Sequence, residues 1–326
     1  MTFRQNPIAD HLKGLHNLPA DPSLALLFPG QGSQKVGMGF DVCQSSVASR
    51  AIFDAADLAI ETDISRLCFE GPEGELTRTI NAQPAILTTS LAYLAAALES
   101  GALDKRPAYL AGHSLGEYTA LVAVGSLAFA AGLRLVRERG RLMEQAGTRE
   151  AGTMAAIVGL TEHSVIEICR VSGAEPCNFN ARTQVVVGGT RDAVERACAL
   201  AKEQGGRGLP VNVAGAFHTS LMESAAAEFQ DIIGGESVED PALPVIGNVT
   251  AIPMVSAAEC RSDLQRQIAM PVRWHQSILH LRDAGVRTFA ELGPGRALTT
   301  MLKRDGPELE LISLDGAASM ATATNV

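Results

Sequence analysis

Apolar positions along the chain fall into two textures, short unbroken runs and longer stripes at helical spacing. LALLF (24–28) and AYLAG (108–112) are unbroken runs bounded by turn residues, the pattern of strands buried on both faces. Each leads into glycine: PGQGSQ after the first, GHSLG after the second. ILTTSLAYLAAALES (86–100), LGEYTALVAVGSL and FAAGLRLVRERGRLMEQA place apolar residues every three or four positions and predict helices. Strands alternating with helices imply a parallel sheet covered on both faces. LPVIGN and TFAELG add strands to the same unit after residue 215.

The texture changes near residue 150. TMAAIVGL predicts a strand, TEHSVIEICRVSG a helix, AEPCNF a weaker strand, QVVVGGT a strand, RDAVERACALAKEQG a helix and GRGLPVNV a last strand. That β-α-β-β-α-β order is the order of a ferredoxin-like module. The expected fold is α/β, with a small ferredoxin-like subdomain (151–214) inserted into a large parallel-sheet subdomain (23–150 and 215–315). Residues 1–22 read as an irregular or weakly helical extension, and the small, polar residues 316–326 as a disordered tail.

Composition narrows the function classes. In 326 residues, 46% hydrophobic and 19% charged, there is material for a sizeable core. The net charge of −9 excludes a general nucleic-acid binder and requires any acidic partner to dock on a local basic patch. The six cysteines are scattered, with neither CxxC pairs nor metal-ligand spacing, as expected of reduced thiols in a protein without a metal site. The N-terminus has no apolar signal region. The most apolar run, LVAVGSLAFAAGL, is shorter than the roughly 20 residues of a membrane span. A cytoplasmic protein with no membrane association is expected.

GHSLG fits G-x-S-x-G between a strand and a helix, the context of a nucleophile elbow. Such a turn lifts the Ser114 hydroxyl off the sheet and aims the following helix N-terminus at charge developing there. A serine nucleophile needs a base. His113 is adjacent, but neighbouring side chains on a tight elbow diverge. His11 and His16 lie in the extension and His163 in a helix of the small module. His218, in VAGAFHTSLM where the chain returns to the large unit, is favoured, with His275 and His280 in VRWHQSILHLR remaining open. PGQGSQ lacks the third glycine and the lysine of phosphate-binding loops. It reads either as a plain turn or as an oxyanion loop, with the Gln31 N–H and the N–H of Leu115 as the two donors. Arg139 falls within the apolar stripe Gly132, Leu135, Val136, Leu142 and Met143. A charge there must be paired, by an internal salt bridge or by the carboxylate of a ligand.

FPGQGSQ, GHSLGEY, RERGRLM, NFN, GAFHTSLM, RQI…PVRW and ELGPG occur in this order from about residue 23 to about 315. Together they resemble malonyl-CoA:acyl carrier protein transacylases and the related acyltransferase domains of polyketide synthases. The resemblance implies a hydrolase-like large subdomain and a Ser-His dyad, Ser114 with His218, oriented by the backbone carbonyl of Gln267. It makes Gln31 and Leu115 the oxyanion donors and Arg139 the partner of the malonyl carboxylate. Asn180 and Gln83 become pocket-lining residues, and Phe217 matches relatives that prefer malonyl to methylmalonyl. It further implies malonyl-CoA and an acyl carrier protein as partners, with no bound cofactor: CoA arrives as the thioester substrate, and phosphopantetheine is carried by the partner. The competing reading is a serine hydrolase or thioesterase, which would use the same elbow with water as the acceptor.

Overall fold

The computed structural model describes residues 7–303, 306 and 308–323. Among the described residues ten strands fall into two sheets. In the large subdomain these are β1 (Ala20–Phe28), β2 (Arg106–Gly112), and later β7 (Val245–Ile246), β8 (Pro253–Met254), β9 (Thr288–Leu292) and β10 (Glu310–Leu314). Between β2 and β7 the small subdomain contributes β3 (Thr153–Val158), β4 (Glu175–Ala181), β5 (Gln184–Gly189) and β6 (Arg207–Val211). The large sheet runs β10-β9-β1-β2-β7-β8, parallel except for the β7–β8 pair.

The apolar runs of the central strands make two cores because alternate side chains leave opposite faces of the sheet. Leu24, Leu26 and Phe28 of β1 join one core, with Leu110 of β2. Ala25 and Leu27 join the other, with Ala111, Trp274 and Ile278. The first core is dominated by the helix Thr79–Ser100, buried nearly all round. The helix Phe129–Arg149 crosses it closely because residue 140 is glycine: a Cβ there would lie 2.6 Å from the Thr79 carbonyl oxygen. That close approach sets Arg139 beside Gln83.

The small sheet is antiparallel in the order β4-β5-β3-β6, with the helices Glu162–Ser172 and Arg191–Glu203 on one face. Ala155, Ile157, Val185 and Val187 pack against those helices. Met154 and Val186, pointing the other way, pack toward the large subdomain. The two subdomains are joined by backbone as well: Phe179 N–H donates to Val272 O (2.8 Å) and Val272 N–H to Cys177 O (2.8 Å).

Three expectations need correction. The extension over 1–22 is not an appendage, since the helix Pro7–Asn17 puts Leu12 and Leu15 into the large core and β1 already begins at Ala20. The tail is not disordered over its described part: Ala317–Ala323 is a helix with Met320 buried, and Ala317 N–H donates to Asp41 Oδ2 (2.7 Å). Its alanines favour helix and its one large apolar residue finds the core. Residues 1–6 and 324–326 of those two segments lie outside the described residues. β10, which closes the sheet beyond β9, has no counterpart among the strands expected from sequence.

Candidate active site

Between Gly112, which ends β2, and Leu115, which opens the helix Leu115–Ala123, only His113 and Ser114 turn the chain. Ser114 pays for this with φ 51° and ψ −106°, a conformation costing an L residue about 1–3 kcal/mol. The two motif glycines make the turn possible. A Cβ on Gly112 would lie 1.9 Å from the Gly116 carbonyl carbon, and one on Gly116 would lie 2.1 Å from Phe28 O. Asn248, two residues beyond β7, clamps the turn: its Oδ1 accepts the Ser114 N–H (2.7 Å) and its Nδ2 donates to Gly112 O (2.7 Å).

His218 reaches the same point from the segment that re-enters the large subdomain. It too has a left-handed backbone, φ 63°, held by its N–H donating to Ile268 O (3.1 Å). Its Nδ1 lies 2.8 Å from Gln267 O and 3.2 Å from Met270 O. Carbonyls only accept, so Nδ1 carries the proton and Nε2 offers its lone pair to the Ser114 hydroxyl at 2.8 Å. Burial, and then the charge of Arg139, push the imidazole down to about 3, leaving it a neutral base. His113 is not that base: its Nε2 faces Asn180 Oδ1 (2.8 Å) and its ring tilts onto Trp274. His275 and His280 ride on the helix Trp274–Asp283 and do not line the site.

Arg139 is 1% exposed. Its Nη1 donates to Gln83 Oε1 (2.8 Å), and its Nη2 donates to Gln267 Oε1 (2.8 Å) and Ser114 Oγ (3.0 Å). The guanidinium lies 5.4 Å from the centroid of the Tyr118 ring. Among the described residues none of its hydrogen-bond partners is a carboxylate, and its Nε has no partner. Of the two sequence alternatives, the internal salt bridge is therefore not made. Burial lowers the guanidinium's pKa, yet arginine stays protonated in proteins. The site thus holds a buried cation whose hydrogen-bond partners among the described residues are neutral.

A cavity of about 280 Å³ opens between the subdomains in front of these groups. Gln31, Ser114, Arg139, Asn180, Phe217 and His218 all line it, and Met154, Val186 and Val211 give it an apolar wall from the small sheet. Gln83 and Gln267 stand behind Arg139 rather than in the cavity. Leu115 is the first residue of its helix, so its N–H has no acceptor within that helix. Gln31, Ser114, Arg139, Asn180, Phe217 and His218 thus share one cavity, Gln83 and Gln267 are bonded to Arg139 behind it, and His275 and His280 stand apart. Three residues escaped sequence reading: Asn248, Tyr118 beneath the guanidinium, and Glu117, buried below the elbow. A carboxylate inside the fully buried helix LGEYTALVA was the one available signal.

Among the described residues no group of three or more His, Cys, Asp or Glu is placed to hold a metal. All six cysteines are free thiols, and no described helix is long and apolar enough to cross a membrane.

Residues 25–324 match the acyl transferase domain family. The chain is 41% identical over 306 residues to the malonyl CoA-acyl carrier protein transacylase of Bacillus subtilis (strain 168), covering 92% of this chain and 96% of the relative. Among solved structures, FabD from Acinetobacter baumannii superposes with a TM-score of 0.89 at 38% identity, covering 94% of this chain and 98% of that one. A malonyl-transacylase solved with its type II polyketide synthase acyl-carrier protein also gives a TM-score of 0.89 at 38% identity, covering 93% and 99%. With its fold and more than nine-tenths of its length shared with these proteins, the chain belongs to the acyl transferase family, among the malonyl-CoA:acyl carrier protein transacylases.

Proposed function

We propose that the protein moves malonyl from CoA to the phosphopantetheine thiol of an acyl carrier protein through a malonyl ester on Ser114. The observation that carries this reading is Arg139, a buried cation with no carboxylate bonded to it among the described residues, 3.0 Å from the serine oxygen. An acyl group with a free carboxylate fills that need, and one without leaves the charge unpaired.

His218 Nε2 takes the hydroxyl proton as Ser114 Oγ attacks the thioester carbon. The Gln31 and Leu115 N–H groups receive the oxyanion. The carbon–sulfur bond breaks, and the CoA thiolate leaves with the proton from His218. In the second half the carrier thiol gives its proton to His218 and attacks the ester carbon. The carbon–oxygen bond breaks and Ser114 recovers the proton. The dyad has no acidic third member, because the Gln267 carbonyl fills that place and fixes the tautomer. Once Oγ is an ester oxygen it accepts hydrogen bonds poorly, so Arg139 Nη2 turns from the serine to the malonyl carboxylate. Bound cofactors have no part in either half: CoA and phosphopantetheine both come and go with their carriers.

Malonyl-CoA alone is expected to convert the enzyme to a species heavier by one malonyl group, which carrier bearing phosphopantetheine then discharges. Intact-mass spectrometry reads both steps, and turnover to free malonate without carrier would instead show hydrolysis.

The low pKa of His218 sets the pH dependence of the first half. Its neutral form is the base, so activity is lost only as pH falls toward about 3. The rate constant for malonyl-enzyme formation at low malonyl-CoA is expected to stay level from pH 7 to pH 5. A histidine of ordinary pKa 6.5 would lose about 30-fold over that range. Because Arg139 is the second cause of the low value after burial, an alanine there should move the acid limb to higher pH. Rapid-quench acylation across pH tests both statements.

A further inference from the structure

The described bonds around Arg139 do not end at Gln83 and Gln267. The Gln267 side chain has a fixed orientation: its Nε2 donates to Ser114 O (3.0 Å) and to Glu117 Oε2 (2.9 Å). Both amide hydrogens are spent on the side away from the arginine, so Oε1 must face Nη2. The flipped amide would press its NH2 against the guanidinium and its oxygen against two acceptors. Glu117, with the Ser114 carbonyl, thus decides which end of Gln267 Arg139 meets. The same carboxyl oxygen accepts the N–H of Asn248 (2.9 Å), the residue that clamps the elbow.

We infer that Glu117 is a positioning residue for selectivity: by orienting the Gln267 amide, it keeps Arg139 aimed at an acyl group that bears a free carboxylate. This rests on the carboxylate reading of Arg139 and adds to it. Glu117 is completely buried. Burial, and then the neighbouring Asp263 carboxylate, hold its carboxyl well above the usual range, which favours the neutral acid. A neutral acid suits the role. Its Oε2 still accepts both hydrogen bonds, while an ionised carboxylate would compete with the malonyl group for Arg139. The function lies in an acceptor at a fixed place rather than in a negative charge.

Glutamine, which keeps an acceptor there, and leucine, which keeps only the shape, separate the two ideas. In Glu117→Gln the ratio of kcat/KM for malonyl-CoA over acetyl-CoA is expected to stay within about threefold of the wild type. In Glu117→Leu it should fall about ten- to hundredfold, mostly through the KM for malonyl-CoA, with acetyl transfer retained. Gln267→Leu, which keeps the carbonyl that orients His218 but removes the amide, should lose the same ratio; it decides the matter if Glu117→Leu does not fold. An unchanged ratio in the leucine variant that folds overturns the inference. So does a loss in Glu117→Gln as large as that in Glu117→Leu. Arg139→Ala run alongside separates the levels: if it loses the ratio while the leucine variants keep it, only the role of Glu117 falls. If Arg139→Ala keeps the ratio too, the carboxylate reading falls and the inference with it.

Discussion

Ser114→Ala is expected to abolish the covalent malonyl-enzyme and to cut transfer to carrier by at least on the order of 10⁴-fold. Among the described residues it is the Ser114 hydroxyl on which the helix N-terminus, His218 Nε2 and Arg139 Nη2 converge. His218→Ala should fall about as far in rate while leaving malonyl-CoA binding nearly intact, because the two residues act as one proton-transfer unit and their losses do not add. The double variant is therefore expected to be no slower than either single one. Single-turnover mass spectrometry measures the ester, and steady-state assays with carrier measure the transfer. A malonyl adduct persisting in Ser114→Ala would place the nucleophile elsewhere.

Why the elbow was legible in the sequence and its supports were not has a physical reason. G-x-S-x-G is a steric requirement at fixed spacing: a Cβ at Gly112 would strike Gly116 and Glu117 within the turn itself, and one at Gly116 would strike Phe28 and Pro29 at the end of β1. Arg139 was legible as an anomaly, a charge within an apolar stripe, but spacing could not say whether a protein carboxylate met it. That depended on what lay across the helix crossing, and the answer was two neutral amides and an aromatic ring. Asn248 left no trace, because an asparagine just beyond a two-residue strand looks like any turn residue; only the β2–β7 register puts it under Ser114.

The fold shows the same division. The βαββαβ module was readable because each of its elements has its own period and turn residues, and its strand order follows from the topology. β10 and the helix Ala317–Ala323 were not. ELISL has exposed and half-buried positions at the sheet edge, and the final helix is held chiefly by Met320 and a bond to Asp41, nearly the whole chain away. Long-range partners of that kind leave no local period to find.

Arg139→Ala should separate recognition from chemistry. Removing one member of a buried, hydrogen-bonded charge pair costs about 2–5 kcal/mol, so kcat/KM for malonyl-CoA is expected to fall by about 30- to 5,000-fold. The loss should be deepened by the two oxygens left behind, Gln83 Oε1 and Gln267 Oε1, which have lost their donor and now face the substrate carboxylate. Acetyl-CoA brings no carboxylate and in the wild type leaves the guanidinium without an anion. Its kcat/KM should therefore stay level or rise in the variant. Arg139→Lys keeps the charge but not the planar fork held by both amides, and should fall between wild type and alanine. Parallel kinetics with the two thioesters give the result directly. Equal losses for malonyl and acetyl would mean that Arg139 serves the serine alone, through its bond to Oγ, and that the carboxylate is recognised by another group.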